Sequence, residues 1–183
     1  VLYEYLNLLA YLESRLKHLD QQIEQIAHSE LYAPSVKRLQ ALKGIGTLTA
    51  MVLIAEITDF RRFPNPRSLM AFLGLIPGEN TSDDVTKSTA ITKTGNKRCR
   101  TMLVEAVHHY IKKPRISTKM KEAFTQMGAH STLIATKCVY RLHKRYWTLL
   151  MRGKAKQKAL VAIARELVGF IWALMQPPDS VTL

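Results

Sequence analysis

The chain is poor in cysteine, in acid and in long apolar stretches. Two cysteines in 183 residues, Cys99 and Cys138, exclude a disulfide scaffold, and their separation has no metal-ligand spacing. They read as reduced thiols of a cytoplasmic protein. The densest apolar run, Leu167 to Met175, is nine residues long, where a membrane span needs about 20. No signal peptide is legible, and the helical character already present at Val1 suggests a chain cut from something longer. Acid is short against base: 14 Asp and Glu face 27 Lys and Arg, a formal charge of +13 and a pI near 9.9. Such a balance points to polyanions, nucleic acid before membrane.

The charge is also segregated. Residues 1–33 carry two basic and five acidic side chains, net −3. Residues 85–165 carry nineteen Lys and Arg against Glu105 and Glu122 only, net +17. A stretch so one-sided repels itself, which a phosphate-binding surface explains better than solubility does.

Apolar content is 47%, so a core can form. Leu2, Tyr5, Leu9, Leu12, Leu16, Leu19, Ile23 and Ile26 repeat at alternating steps of three and four. This is a heptad seam, read either as a coiled coil joining protomers or as half of a helical hairpin. Pro34 separates it from a short amphipathic segment, Val36 to Leu42, and from an apolar helix, Leu48 to Ile57. Arg67 to Leu73 reads as a further short helix with Leu69, Phe72 and Leu73 inward. Residues 74–96 lack helical period and read as a long Ser/Thr-rich loop, with a short hairpin conceivable across Val85 and Ile91. Asn96 is a helix N-cap, Pro114 a breaker, Leu133 to Met151 a basic amphipathic helix, and Ala159 to Met175 a buried one. The expected fold is all-α: an N-terminal helix over 1–33, a helical domain over 34–176 with basic helices in 97–175, and a tail at 177–183.

Three constellations carry chemistry. In Leu39-x-x-Leu42-x-Gly44-Ile45-Gly46-x-x-Thr49-Ala50, two helices joined by Gly44 and Gly46 make a helix-hairpin-helix over about 36–57. The second helix offers free N–H groups to a DNA phosphate. The same pattern fits a tight αα-corner that only packs. In Thr92-Lys93-Thr94-Gly95-Asn96-Lys97-Arg98-Cys99-Arg100, cations sit where the helix dipole disfavours them, a conflict that a bound phosphate removes; a solvated basic turn is the plainer reading. In Glu79-Asn80-Thr81-Ser82-Asp83-Asp84, hydroxyls lie near that phosphate site, and a serine could attack a phosphodiester. Clusters of this kind are more often turns. Glu79, Asp83 and Asp84 form a weak candidate for Mg²⁺. Arg141, Lys144 and Arg145 extend the phosphate-binding set. Tyr140, Tyr146, Trp147 and Trp172 are spaced like core residues.

Taken together, these segments resemble a known family. Leu39 to Ala50, Glu56 to Phe63, Phe72 to Pro77, Ile91 to Asn96, Arg100 to Ala106, Arg152-Gly-Lys154 and Val161 to Trp172 follow one another as in the C-terminal transposase domain of the DEDD insertion-sequence transposases related to the Piv invertase. The resemblance covers roughly Val36 to Met175. It implies an absent N-terminal RuvC-like domain whose four carboxylates hold Mg²⁺, a coiled coil that dimerises, DNA as partner, and in some members a structured guide RNA. It also implies a serine nucleophile in a Ser-Gly step after Gly-Leu-x-Pro. Ser82 is the match, with Thr81 as the alternative hydroxyl and Asp83 where the family has Gly. No cofactor is expected in this chain, and the chain alone is expected to be inactive. The other reading is a non-catalytic module for nucleic-acid binding and dimerisation.

Overall fold

The computed structural model describes residues 1–82 and 85–177, with the side chains of residues 79–90 outside the description. Eight α-helices and one two-stranded hairpin make up the described residues. No described helix is long and apolar enough to cross a membrane.

Helix α1 (Leu2–Ala27) runs out from the rest of the molecule. Its last turn packs, with Ala27 buried and Ile23 half-buried, while Leu9, Leu12 and Leu16 are 53%, 48% and 62% exposed. From Leu2 to Leu19 the heptad seam therefore has no cover among the described residues. Pro34 opens α2 (Ala33–Gln40), where its missing N–H costs nothing. A turn over 41–46 leads into α3 (Thr47–Ile57), which buries Ala50, Leu53, Ile54 and Ile57. A 3-10 turn (Phe60–Arg62) precedes α4 (Pro66–Phe72), capped by the Asn65 side chain accepting from the Ser68 N–H.

Leu69 and Leu73 are buried as expected, but Phe72 is 36% exposed. Its ring lies 5.3 Å from that of Phe63, and the Arg62 guanidinium covers both at 4.8 and 4.7 Å. The cation stem shields an aromatic pair at the surface.

The segment 74–96 is less of a loop than its composition suggests. Strand β1 (Pro77–Ser82) pairs antiparallel with β2 (Val85–Ile91), with a register shift between Pro77 and Glu79. The sequence Pro77 to Ile91 lacks the apolar alternation that announces a strand, though Ile91 packs partly buried against the core. Below it, the Thr92 N–H donates to the Ile76 carbonyl (2.9 Å) and the Lys93 N–H to that of Gly74 (3.2 Å).

Helix α5 (Lys97–Val107) starts at Asn96, whose side chain accepts from the Cys99 N–H at 3.0 Å. A 3-10 turn (His108–Tyr110), α6 (Thr118–Thr125), α7 (Ala129–Met151) and α8 (Lys156–Met175) complete the chain. Gly128, expected to close α6, is the N-cap of α7. The core gathers on α8, which packs against α4, α5 and α7 and contributes Leu160, Ile163, Leu167, Val168 and Ile171. Tyr146 is buried and Trp172 half-buried, with its indole N–H on the Phe63 carbonyl (2.8 Å). Tyr140 and Trp147 are not core: they are 53% and 44% exposed on the outer face of α7.

Candidate nucleic-acid interface

The two glycines of the α2–α3 turn do different things. Gly44 has φ +87, and a Cβ there would collide with the Ala106 carbonyl and press on the His109 ring. It is the position at which the turn packs onto the end of α5. Gly46 has φ −92 and ψ 178, is exposed, and has nothing within 4 Å of where a Cβ would stand. It opens α3, whose first-turn N–H groups have no helical acceptors. Thr47 Oγ1 accepts from Gln40 Nε2 (3.0 Å) and donates to Glu24 Oε1 (3.3 Å), which ties α1 to this corner.

Composition could not show which cations gather here. Lys43 Nζ donates to the Lys113 carbonyl (3.2 Å). Its pKa is pulled down, first by partial burial and then by the charges of Lys112 and Arg115. Three cations thus crowd one side of the turn, 69 and 72 residues apart in sequence from Lys43 to the other two. No carboxylate among the described residues forms an ion pair with any of them.

The base of the hairpin is locked by backbone contact. A Cβ on Gly95 would overlap the backbone of Phe72, Leu73 and Gly74, and Gly74 itself sits at φ +65. One terminal nitrogen of Arg100 donates to the carbonyls of Leu73 (3.1 Å) and Gly95 (2.7 Å). Arg100 therefore braces the hairpin base. Lys93, Lys97 and Arg98 are exposed around the start of α5, and Lys93 holds φ +57, an unusual conformation for a residue with a Cβ.

Beside this base lies an open cleft of about 1030 Å³. Its walls come from Asn65 to Ser68, Met70 and Ala71 of α4, Ile76 to Gly78, Thr92, and Arg165 of α8. It contains no acidic side chain. Arg67 is exposed and Arg165 half-buried, and neither has an ion-pair partner among the described residues. The pair does not stand out in the sequence, because 98 residues separate Arg67 from Arg165.

Thr81 and Ser82 lie in β1 with their backbones opposite Thr86 and Val85. Their side chains, and Asp83 and Asp84 altogether, lie outside the described residues. Arg141 and Arg145 both grip Glu166, at 3.3 and 3.0 Å, while Lys144 is exposed. Among the described residues no three His, Cys, Asp or Glu side chains come together as a metal site.

The model of the transposase IS116/IS110/IS902 family matches residues 36–121. That span runs from α2 through the hairpin and α5 into α6. The chain is 36% identical over 179 residues to a Sinorhizobium fredii protein named "Putative transposase y4qE", covering 91% of this chain and 46% of that one. It is 26% identical to the transposase for insertion sequence element IS1111A of Coxiella burnetii, covering 79% and 34% of the two chains. With the transposase for insertion sequence element IS1328 of Yersinia enterocolitica it shares 26% identity over 83% and 48%. The chain thus spans less than half the length of each of these relatives. The matched residues hold the turn, the hairpin and every wall of the cleft but Arg165, and the chain is similar there to the transposase IS116/IS110/IS902 family.

Proposed function

We propose that this chain is the DNA-handling, serine-bearing C-terminal portion of a transposase. The observation that carries the reading is the juxtaposition at the hairpin. A strand pair bearing Thr81 and Ser82 rises from a base fixed by Gly74, Gly95 and Arg100, next to an acid-free cleft with Arg67 and Arg165. Pro77 to Ser82 spans about 17 Å at ~3.3 Å per residue, or about five base steps of duplex at 3.4 Å each. A backbone held at the base can therefore run the length of β1.

In that reaction Ser82 Oγ forms a bond to phosphorus as the bond to the leaving deoxyribose oxygen breaks. The serine proton goes to a base and the leaving oxygen gains one. A serine hydroxyl needs activation, and the developing charge needs an offset. The cleft arginines, Lys93, Lys97 and Arg98 offer the offset. On this reading activation falls to Mg²⁺ held by a RuvC-like part, and a structured guide RNA is a further partner for the basic surface. Dimerisation through residues 2–26 completes the proposal, supported by the uncovered seam.

In the full-length transposase, Ser82→Ala should abolish strand transfer and any covalent DNA adduct on denaturing gels while DNA binding persists. Thr81→Ala should be milder. Retained transfer in Ser82→Ala with loss in Thr81→Ala would move the role to Thr81. Indifference to both would leave a binding and dimerisation module. This chain alone should cleave no DNA, with or without Mg²⁺.

A further inference from the structure

The outer face of α7 carries an order that the core does not need. Leu133, Lys137, Tyr140, Lys144, Trp147 and Met151 follow one another at steps of four, three, four, three and four, on one face of the helix. The four uncharged members are 56%, 53%, 44% and 86% exposed, and both lysines are exposed. Helix α7 contains no Asp or Glu, and the carboxylate paired to it among the described residues, Glu166, is taken up by Arg141 and Arg145. Trp147 is held in place: its indole N–H donates to the Ile111 carbonyl (3.2 Å), and its ring meets that of Tyr146 edge-on at 5.5 Å. Beside it lies an open hollow of about 590 Å³ that also contains no acidic side chain.

We infer that this face is a stacking platform for single-stranded DNA, an inference that rests on the DNA-handling reading above. Proteins that bind unpaired strands interleave aromatic rings, which take bases, with cations, which take phosphates. Tyr140 and Trp147 are about 10 Å apart along the helix at 1.5 Å per residue, close to three base steps at ~3.4 Å. Lys137 and Lys144 fall between the aromatic and apolar members. A fixed Trp147 ring loses little freedom when a base stacks on it.

The competing occupant is a helix, above all α1 of a second copy, which is acidic and has an uncovered seam. The lysines argue against it. Alternate members of this face would put two ammonium groups into a seam that wants apolar side chains, and α1 would set Leu and Ile against them.

The test is titration of the 183-residue chain with a short oligodeoxythymidine and, separately, with a hairpin duplex. The oligomer should quench part of the tryptophan fluorescence of the parent and none in Trp147→Phe, where Trp172 remains. Tyr140→Ala removes an exposed ring with no hydrogen bond and should weaken single-strand binding about tenfold while duplex binding stays as in the parent. Lys144→Gln should make the single-strand salt slope shallower by about 0.7. No quenching at saturation, or equal single-strand affinity for the parent and Tyr140→Ala, overturns the inference. So does a Tyr140→Ala chain whose sedimentation changes while its DNA binding does not, which would assign the face to a second copy. If duplex binding survives in those cases, only the platform fails. If the parent binds neither probe, the DNA-handling reading fails with it.

Discussion

Gly44 and Gly46 stand two residues apart, yet a substitution at each should do opposite things. Gly44→Ala places a Cβ at φ +87 against the Ala106 carbonyl, so it should destabilise the fold by about 2 kcal/mol, read from urea unfolding. Gly46→Val meets open space at φ −92. It should cost no more than about 1 kcal/mol as a poorer N-cap, yet weaken binding to every DNA sequence alike by crowding the α3 N-terminus. Loss of preference for one sequence only would contradict a backbone-positioning role. The cysteines give a second prediction at this scale. Burial, with Glu56 adding to it, raises Cys99 to about 11. Burial also raises Cys138 to about 12, beside a Tyr110 hydroxyl 3.5 Å away that is itself pushed up. Both folded values lie above the ordinary 9.0, so the folded chain holds these protons more tightly than the unfolded one. Their contribution is intact below pH 9 and drains as the pH rises from 9 toward 11 and 12. The urea midpoint should fall between about pH 8.5 and about pH 10.5, and the fall should be shallower in Cys138→Ala.

Helix α1 meets the rest of its chain only near its C-terminal end, at α3. Leu12 and Leu19 are 48% and 40% exposed along a seam that would be costly to leave in water. The chain should therefore sediment as an oligomer, and the Leu12→Asp, Leu19→Asp double variant as a monomer. A parent already monomeric at high concentration would mean that the seam packs within the chain instead. Elements of this kind were legible in the sequence because their signals are local. Pro34 opens α2, Asn96 caps α5, Gly153 at φ +77 follows α7, and the apolar periods of α3, α5 and α8 match their buried faces. The hairpin was harder to read. Its strands meet through backbone pairing that no apolar alternation announces, and Gly74 and Gly95 find each other only through space. Tyr140 and Trp147 were misread for a related reason. Seven residues apart is the spacing of a stripe, and spacing does not say whether the stripe faces inward or outward.

Across the whole molecule, what the sequence could count but not place is its charge. Nineteen Lys and Arg in residues 85–165 were visible at once. Their division of labour depends on folding. Arg100 braces a backbone, and Arg141 and Arg145 are tied to Glu166. Arg165 lines a cleft with Arg67, and Lys43 joins Lys112 and Arg115 at the α2–α3 turn. The cations that remain without carboxylate partners are the ones a DNA backbone can neutralise, each with release of a counterion. Five such contacts on duplex DNA predict a slope of log K against log salt of about −4.5, or about 500-fold weaker binding at about 200 mM salt than at about 50 mM. The double variant Arg67→Gln, Arg165→Gln should make that slope shallower by about 1.8 if both cleft arginines meet phosphates. Arg61→Gln removes an arginine already engaged by Asp59 at 3.0 Å and should leave the slope unchanged. If the cleft variant leaves the slope at the parental value, as Arg61→Gln does, its arginines do not touch DNA. A flat salt dependence of the parent would remove the phosphate-binding surface altogether.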